Sequence, residues 1–135
     1  MRNFLVLLGR IGLAQIFLYS GLQKLAGYDA TTAYMVAHNL PPGLLPLVIF
    51  AELGGGLAIL FGFLTRLASL GLFVFTLLAA AFFHDSFADP AQLINFQKNI
   101  AIAGGFLVLA TFGPGTIALD AMWGKRRRQR SKLSF

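Results

Sequence analysis

The sequence predicts an all-α integral membrane protein, a four-helix bundle with both termini in the cytoplasm. Hydrophobic residues make up 57% of the 135 residues and charged residues 12%, and the mean hydropathy is +0.74. These values lie far from those of a water-soluble domain. Four apolar stretches each approach the roughly 20 residues that a helix needs to cross about 30 Å of hydrocarbon. They show no alternation of polar and apolar positions, which favours helices over a membrane barrel.

The predicted helices fill a single transmembrane domain of residues 1–124. The first helix contains Arg10 and is followed by no small-x-small cleavage site, so we expect a retained helix rather than a secretory signal. Prolines and glycines mark the ends of the others, with Pro41-Pro42-Gly43 before the second and Gly113-Pro114-Gly115 after the fourth. The predicted spans are about 4–26, 44–64, 67–83 and 93–112.

Two connecting segments also carry structural signals. Residues 29–40 mix apolar and polar side chains and predict a short surface helix or cap between the first two spans. Residues 116–123 follow the last glycine and predict a short segment at the membrane interface.

The distribution of positive charge predicts the orientation. If the helices alternate in direction, Arg2, Arg66 and the basic tail of residues 125–135 fall at one end, and Lys24 and Lys98 at the other. Positive residues concentrate on the cytoplasmic side, so both termini should be cytoplasmic. The formal net charge of +6 comes mostly from this tail. We interpret the tail as a topology anchor touching anionic lipid headgroups and expect no nucleic-acid binding.

Glu52 is the polar residue that most needs an explanation, because it lies inside an apolar run long enough to cross the bilayer. A charge at membrane depth costs roughly 2.5 to 3.5 kcal/mol and should have a partner. Counting from the helix starts places Lys98 at a similar depth, which makes it the first candidate, and Lys24 the second. Further polar side chains fall in the same layer, and the sequence predicts a polar cluster at the outer end of the bundle. Its candidate ligand-binding members are Glu52, Lys98, Lys24, His84, Gln97 and Gln23.

A second charged pair is predicted at the opposite end, where Arg10 can extend toward the headgroups and meet Asp120. The sequence has no cysteine. Its histidines and acidic residues show no recognised metal-ligand spacing, so we expect no metal site. Nucleophile–base patterns, phosphate loops and dinucleotide fingerprints are also absent from the sequence.

The same polar positions, together with the glycine-rich segments, resemble the DoxX family of small bacterial inner-membrane proteins over nearly the whole chain. The residues that carry the resemblance are Arg10, Gly21-Leu22-Gln23-Lys24-Leu25, Glu52-Leu53-Gly54-Gly55-Gly56, Gly62-Phe63-Leu64-Thr65-Arg66, Phe83-His84, Lys98-Asn99, Gly113-Pro114-Gly115 and Leu119-Asp120. The resemblance implies association with quinone-linked and redox-stress systems, including membrane subunits of thiosulfate:quinone oxidoreductases and partners of superoxide-defence enzymes.

Two main interpretations follow for Glu52. In one, the protein is an accessory or membrane-anchor subunit of a quinone-dependent redox or oxidative-stress system, with a quinone bound near Glu52 and no redox centre or catalytic activity of its own. In the other, the protein is purely structural, and Glu52 and Lys98 only lock the bundle. A small transporter component is a third interpretation. Besides lipids, the expected partners are a redox-enzyme subunit or further copies of this chain.

Overall fold

The computed structural model describes residues 1–133, with side chains as far as Arg126. Within this part of the chain the structure is entirely helical, without strands. Its elements are α1 (Arg2–Ala26), α2 (Tyr28–Ala37), a 3-10 turn (Pro42–Leu44), α3 (Leu45–Phe61), α4 (Thr65–Phe83), α5 (Pro90–Phe112) and α6 (Leu119–Leu133).

The predicted all-α architecture with four membrane-spanning helices is confirmed. Among the described residues, four helical segments are long and apolar enough to cross a membrane: α1, the 3-10 turn with α3, α4 and α5. Their bounds differ from the predicted ones by at most three residues. The largest differences are the earlier end of α3 at Phe61 and the earlier start of α5 at Pro90.

The junction between α3 and α4 explains the early end of α3. Gly62 has a φ of 70° and Leu64 a φ of 44°, so the chain passes through two left-handed residues before α4 starts. A left-handed residue satisfies the last carbonyls of a helix and stops it, and glycine adopts this conformation without penalty. The amide of Phe63 accordingly donates to the carbonyl of Ala58 at 2.9 Å.

The spanning helices pack as two close antiparallel pairs, α1 with α3 and α4 with α5, joined mainly through α3 and α4. Glycine makes the first pair close: a Cβ on Gly56 would lie 3.0 Å from Leu18 and 3.4 Å from the Ala14 carbonyl of α1. Small residues let membrane helices approach in this way. The buried core lies between the pairs and consists of Ala14, Phe17, Ile59, Leu72, Phe106 and Leu109.

The bundle has two different ends. At the α2 end, α2 and the 3-10 turn connect α1 to α3, and the predicted short surface helix is present as α2. At the terminal end lie the start of α1, the α3–α4 junction and α6. The predicted basic tail of residues 125–135 starts inside α6. Its side chains from residue 127 onward, and residues 134 and 135 entirely, lie outside the described part.

Candidate functional site

A salt bridge joins α1 to α3 near the α2 end. Lys24 Nζ lies 2.9 Å from Glu52 Oε1, and the Lys24 ammonium also donates to Ser20 Oγ at 2.6 Å. The Ser20 hydroxyl is itself 3.1 Å from Glu52 Oε1. The side chain of Glu52 is 6% exposed and that of Lys24 is 27% exposed. Glu52 is therefore a buried carboxylate whose cation reaches it from the end of α1.

The expectation that Lys98 pairs with Glu52 is wrong, and the second candidate, Lys24, takes that place. Counting along the helices gave the depth of each side chain but not which helices are neighbours. In the structure α3 packs on α1, whereas α5 packs on α4. Lys98 lies on an exposed face of α5. The same correction applies to the structural interpretation, which assumed a Glu52–Lys98 pair. The salt bridge that links two helices is Lys24–Glu52, and it joins α1 to α3.

The other oxygen of Glu52 is not satisfied. Oε2 is buried and has no hydrogen-bond partner among the described residues. A buried acceptor without a donor is costly, on the order of 1 to 3 kcal/mol. The carboxylate is thus only half satisfied by the protein groups around it.

Glu52 and Lys24 border a cavity of about 460 Å³ at the α2 end, between the two helix pairs. Its volume falls within the range of small-molecule sites. The walls are mainly apolar and aromatic, with a few polar side chains. The aromatic members are Phe17, Tyr34, Phe75, Phe82 and Phe83, and the polar members are Ser20, Lys24, Thr31, Glu52, Thr76, His84 and Asn99.

Helix α2 borders this cavity, and its Tyr34 forms an aromatic cluster with His38, which follows α2, and with Phe83 of α4. The Tyr34 ring stacks on Phe83 with centroids 5.4 Å apart, and the His38 ring lies 4.2 Å from Tyr34. Met35 of α2 is buried with Leu45 and Ile49 of α3. The cap is therefore packed against both α3 and the end of α4.

The predicted polar cluster is assembled only in part. His84 lines the cavity at the end of α4, with Nδ1 2.7 Å from Gln92 Oε1. Gln97, like Lys98, is exposed and does not border the cavity. Gln23 is also exposed and donates to the Tyr19 hydroxyl at 2.8 Å on its own helix. Of the six candidate ligand-binding residues, Glu52, Lys24 and His84 meet at the cavity.

Sequence reasoning missed several cavity residues. Ser20 had a signal, since it precedes Lys24 by four residues and so shares its helix face. No signal marked Thr76 in the sequence, since a threonine in an apolar helix commonly bonds to its own backbone. Its hydroxyl indeed donates to the Leu72 carbonyl at 2.6 Å. Thr31 and Tyr34 lie in the predicted cap, but the sequence did not show which face of that cap turns inward.

At the terminal end, Arg10 is 1% exposed and binds backbone carbonyls. Its guanidinium donates to Ile59 at 2.8 Å, Leu60 at 2.5 Å, Pro114 at 3.0 Å and Ile117 at 2.6 Å. Ile59 and Leu60 belong to the last turn of α3, whose carbonyls lack helical partners. Arg10 therefore ties α1 to the end of α3 and to the segment between α5 and α6.

Asp120 binds the other side of the same junction. Its carboxylate accepts hydrogen bonds from the amides of Leu64 and Thr65, each at 2.8 Å, and from the Thr65 hydroxyl at 2.7 Å. These groups form the start of α4, where free amides and the helix dipole favour a negative charge. Arg10 and Asp120 lie at the same junction, but within the described residues they make no direct salt bridge, and each charge binds backbone groups of a helix end. The free carbonyls at the end of α3 and the free amides at the start of α4 form hydrogen bonds with these two side chains in place of a direct contact between them.

The described residues contain no group of three or more histidine, cysteine, aspartate or glutamate side chains that could hold a metal ion. The polar chemistry of the cavity is therefore that of one ion pair, a histidine, an amide and hydroxyl groups.

These features identify the molecule as a small polytopic membrane protein with a buried ion pair beside a largely apolar cavity. The sequence model of the DoxX family matches residues 5–85. The chain is 48% identical to inner membrane protein YqjF of Escherichia coli (strain K12) over 121 residues, which cover 90% of this chain and 93% of that protein. It is 37% identical to inner membrane protein YphA of the same organism over 127 residues, 88% of this chain and 90% of that protein.

The chain belongs to the DoxX family, and it is a small inner-membrane protein. No solved structure matches it.

Proposed function

We propose that this protein is an accessory subunit of a quinone-dependent redox system and that it binds a quinone-like molecule in the cavity at the α2 end. The observation that carries the proposal is the half-satisfied Glu52 carboxylate on the wall of a cavity of about 460 Å³. Locking two helices does not require an adjoining volume of ligand size, so the cavity favours a binding role.

The lining supports a flat, lipophilic ligand with oxygen atoms at its edge. Five aromatic side chains lie within the mainly apolar lining and suit a ring. Hydrogen-bond donors come from separate elements, with Lys24 on α1 and the Asn99 amide on α5, while His84 at the end of α4 directs Nδ1 to Gln92 Oε1. Because these donors approach from different helices, they can orient both ends of a ring that carries two carbonyl groups.

The chain's own residues would bind the ligand and handle protons. A quinone carries electrons and protons between membrane enzymes. Lys24 donates to a ligand oxygen, and Glu52 exchanges a proton at its carboxylate. Electrons would come from the redox centre of a partner subunit, because this sequence has no cysteine and the described residues offer no metal-ligating cluster.

Extraction of bound lipids from purified protein tests the proposal. Mass spectrometry should find a quinone in roughly one-to-one ratio in the wild type, and Lys24→Gln should lose most of it. Lys98→Gln is the matched control, because it makes the same substitution at an exposed position that does not border the cavity. Quinone absent from the wild type, or retained equally by both variants, would overturn the proposal.

The structural interpretation remains the second candidate, and one observation favours it: the Lys24–Glu52 pair joins α1 to α3, which approach closely at Gly56. In that case both variants would carry ordinary phospholipid only, and Lys24→Gln would lower stability without any loss of ligand.

A further inference from the structure

The Lys24–Glu52 pair leaves one donor and one acceptor free. The Lys24 ammonium has three N–H donors, of which two are directed to Ser20 Oγ and Glu52 Oε1. Glu52 Oε1 accepts from both Lys24 and Ser20, whereas Oε2 accepts from no described residue. A ligand beside this pair therefore meets one available N–H of Lys24 and lies next to a carboxylate whose buried second oxygen lacks a donor.

Carbonyl and hydroxyl groups satisfy this pair differently. A carbonyl oxygen only accepts, so it can pair with Lys24 but leaves Glu52 Oε2 without a donor. A hydroxyl group both accepts and donates, so it can pair with Lys24 and Glu52 together. A hydroxyl reaches Glu52 Oε2 only after a partial rotation of the carboxylate brings that oxygen from its buried position to the cavity wall, which the broad last torsion of glutamate permits.

We propose that the cavity discriminates between the redox forms of its ligand and binds the hydroxyl-bearing, reduced quinol more tightly than the carbonyl-bearing quinone. This inference rests on the proposed function. Leaving a buried acceptor unpaired is expected to weaken binding of the quinone about tenfold relative to the quinol. The protein would then hold the reduced ligand and release the oxidised one more readily.

Two other polar groups of the cavity do not produce the same preference. The Thr76 hydroxyl already donates to the Leu72 carbonyl, and the Asn99 amide offers both a donor and an acceptor, so it can bind either ligand form. His84 differs from them: with Nδ1 donating to Gln92 Oε1, Nε2 of the neutral ring is an acceptor for a ligand hydroxyl. A preference supplied by His84 would persist in a Glu52 variant, so substitution of Glu52 isolates the part assigned to this residue.

Binding of a matched ligand pair tests the inference. Decylubiquinone and decylubiquinol are titrated into the full-length protein in lipid discs under anaerobic conditions, and the two Kd values are measured by calorimetry. The wild type should bind the quinol about tenfold more tightly. In Glu52→Gln the new amide supplies a donor, and the ratio should fall to about one or invert. Glu52→Asp, which keeps an acceptor-only group, should retain a preference for the quinol, and Lys98→Gln should keep the wild-type ratio.

The outcomes separate the two proposals. Saturable binding of both forms with equal Kd in the wild type would overturn the redox-form preference and leave the proposed function standing. An unchanged quinol preference in folded Glu52→Gln would also overturn the inference, because another group would then provide the selectivity. Failure of the wild type to bind either form would overturn the proposed function and this inference with it.

Discussion

At the scale of single residues, the pairing of Glu52 with Lys24 sets the character of the α2 end. Two charges withdrawn from water gain from their contact only if the geometry is good, and removing one partner leaves the other uncompensated. The 2.9 Å contact meets the first condition, and Lys24 remains partly exposed. The unpaired Oε2 of Glu52 adds a cost of its own. The pair is therefore sensitive to the loss of either member.

Removing only one member of the pair should destabilise the protein. We expect Lys24→Met to lower the free energy of unfolding by about 1 to 3 kcal/mol, because Glu52 loses its cation. Unfolding in mixed detergent micelles measures the change.

The double variant Lys24→Met with Glu52→Leu should recover part of that loss, since no charge is then left buried. Lys98→Met is the control and should change stability by less than about 0.5 kcal/mol, as expected for an exposed side chain without a partner. Strictly additive losses in the double variant would show that the two residues do not interact.

The sequence located the unusual residues but not all their contacts. Glu52 and Arg10 were identified because a charge inside an apolar run needs compensation. Their contacts depend on which helices are neighbours and on how each helix is rotated, and neither follows from residue counting. Arg10 shows the limit clearly: its partners are four backbone carbonyls, which no side-chain pattern reveals.

At the scale of the elements, the α3–α4 junction is held from both sides. Arg10 satisfies carbonyls at the end of α3, and Asp120 satisfies amides at the start of α4. The amide of Asp120 also donates to the Gly62 carbonyl at 2.9 Å. The junction therefore connects α1, α3, α4 and α6 at one point of the terminal end.

This junction should tolerate substitution poorly. In Gly62→Ala, the new Cβ would overlap Ala118, lie 2.9 Å from Arg10 Nη2 and occupy a left-handed backbone conformation. We expect a loss of about 2 kcal/mol or more in the free energy of unfolding. Gly54→Ala on α3 is the matched control.

At Gly54 the nearest atom to a new Cβ is 3.7 Å away, in the flexible ring of Phe50 on the same helix. Gly54→Ala should therefore leave stability unchanged or raise it slightly. Equal effects of the two substitutions in the same denaturation assay would contradict the described geometry of the junction.

Helix existence and approximate bounds were predictable because length and hydropathy decide them. The end of α3 was less predictable, since Gly55 and Gly56 continue the helix while Gly62 ends it. These glycines behave differently because of their tertiary contacts. Gly56 lies against α1, whereas the carbonyls before Gly62 accept hydrogen bonds from Arg10.

At the scale of the whole molecule, positive charge is distributed unevenly between the two ends. Arg2, Arg66, Lys125 and Arg126 belong to the terminal end, whereas Lys24 lies near the α2 end. The positive-inside rule then predicts that the terminal end, and with it both termini, faces the cytoplasm.

Labelling of single cysteines tests this orientation on a background without native cysteine. Ser86→Cys lies in the exposed connection between α4 and α5, and Gly124→Cys lies on an exposed part of α6. A membrane-impermeant maleimide applied to intact spheroplasts should label the first variant and leave the second unlabelled until the membrane is opened. The reverse pattern would show that the orientation is inverted.

The central claim is that the cavity beside Lys24 and Glu52 binds a quinone-like ligand, and photo-crosslinking tests it most directly. Purified protein in lipid discs is irradiated with a photoreactive azidoquinone, and the labelled peptides are identified by mass spectrometry. We expect labels on cavity residues of α2 and the end of α4, such as Tyr34 and Phe83, and we expect excess unlabelled quinone to remove them. Labelling confined to lipid-facing positions such as Leu47 and Phe50, or labelling that competitor does not reduce, would contradict it.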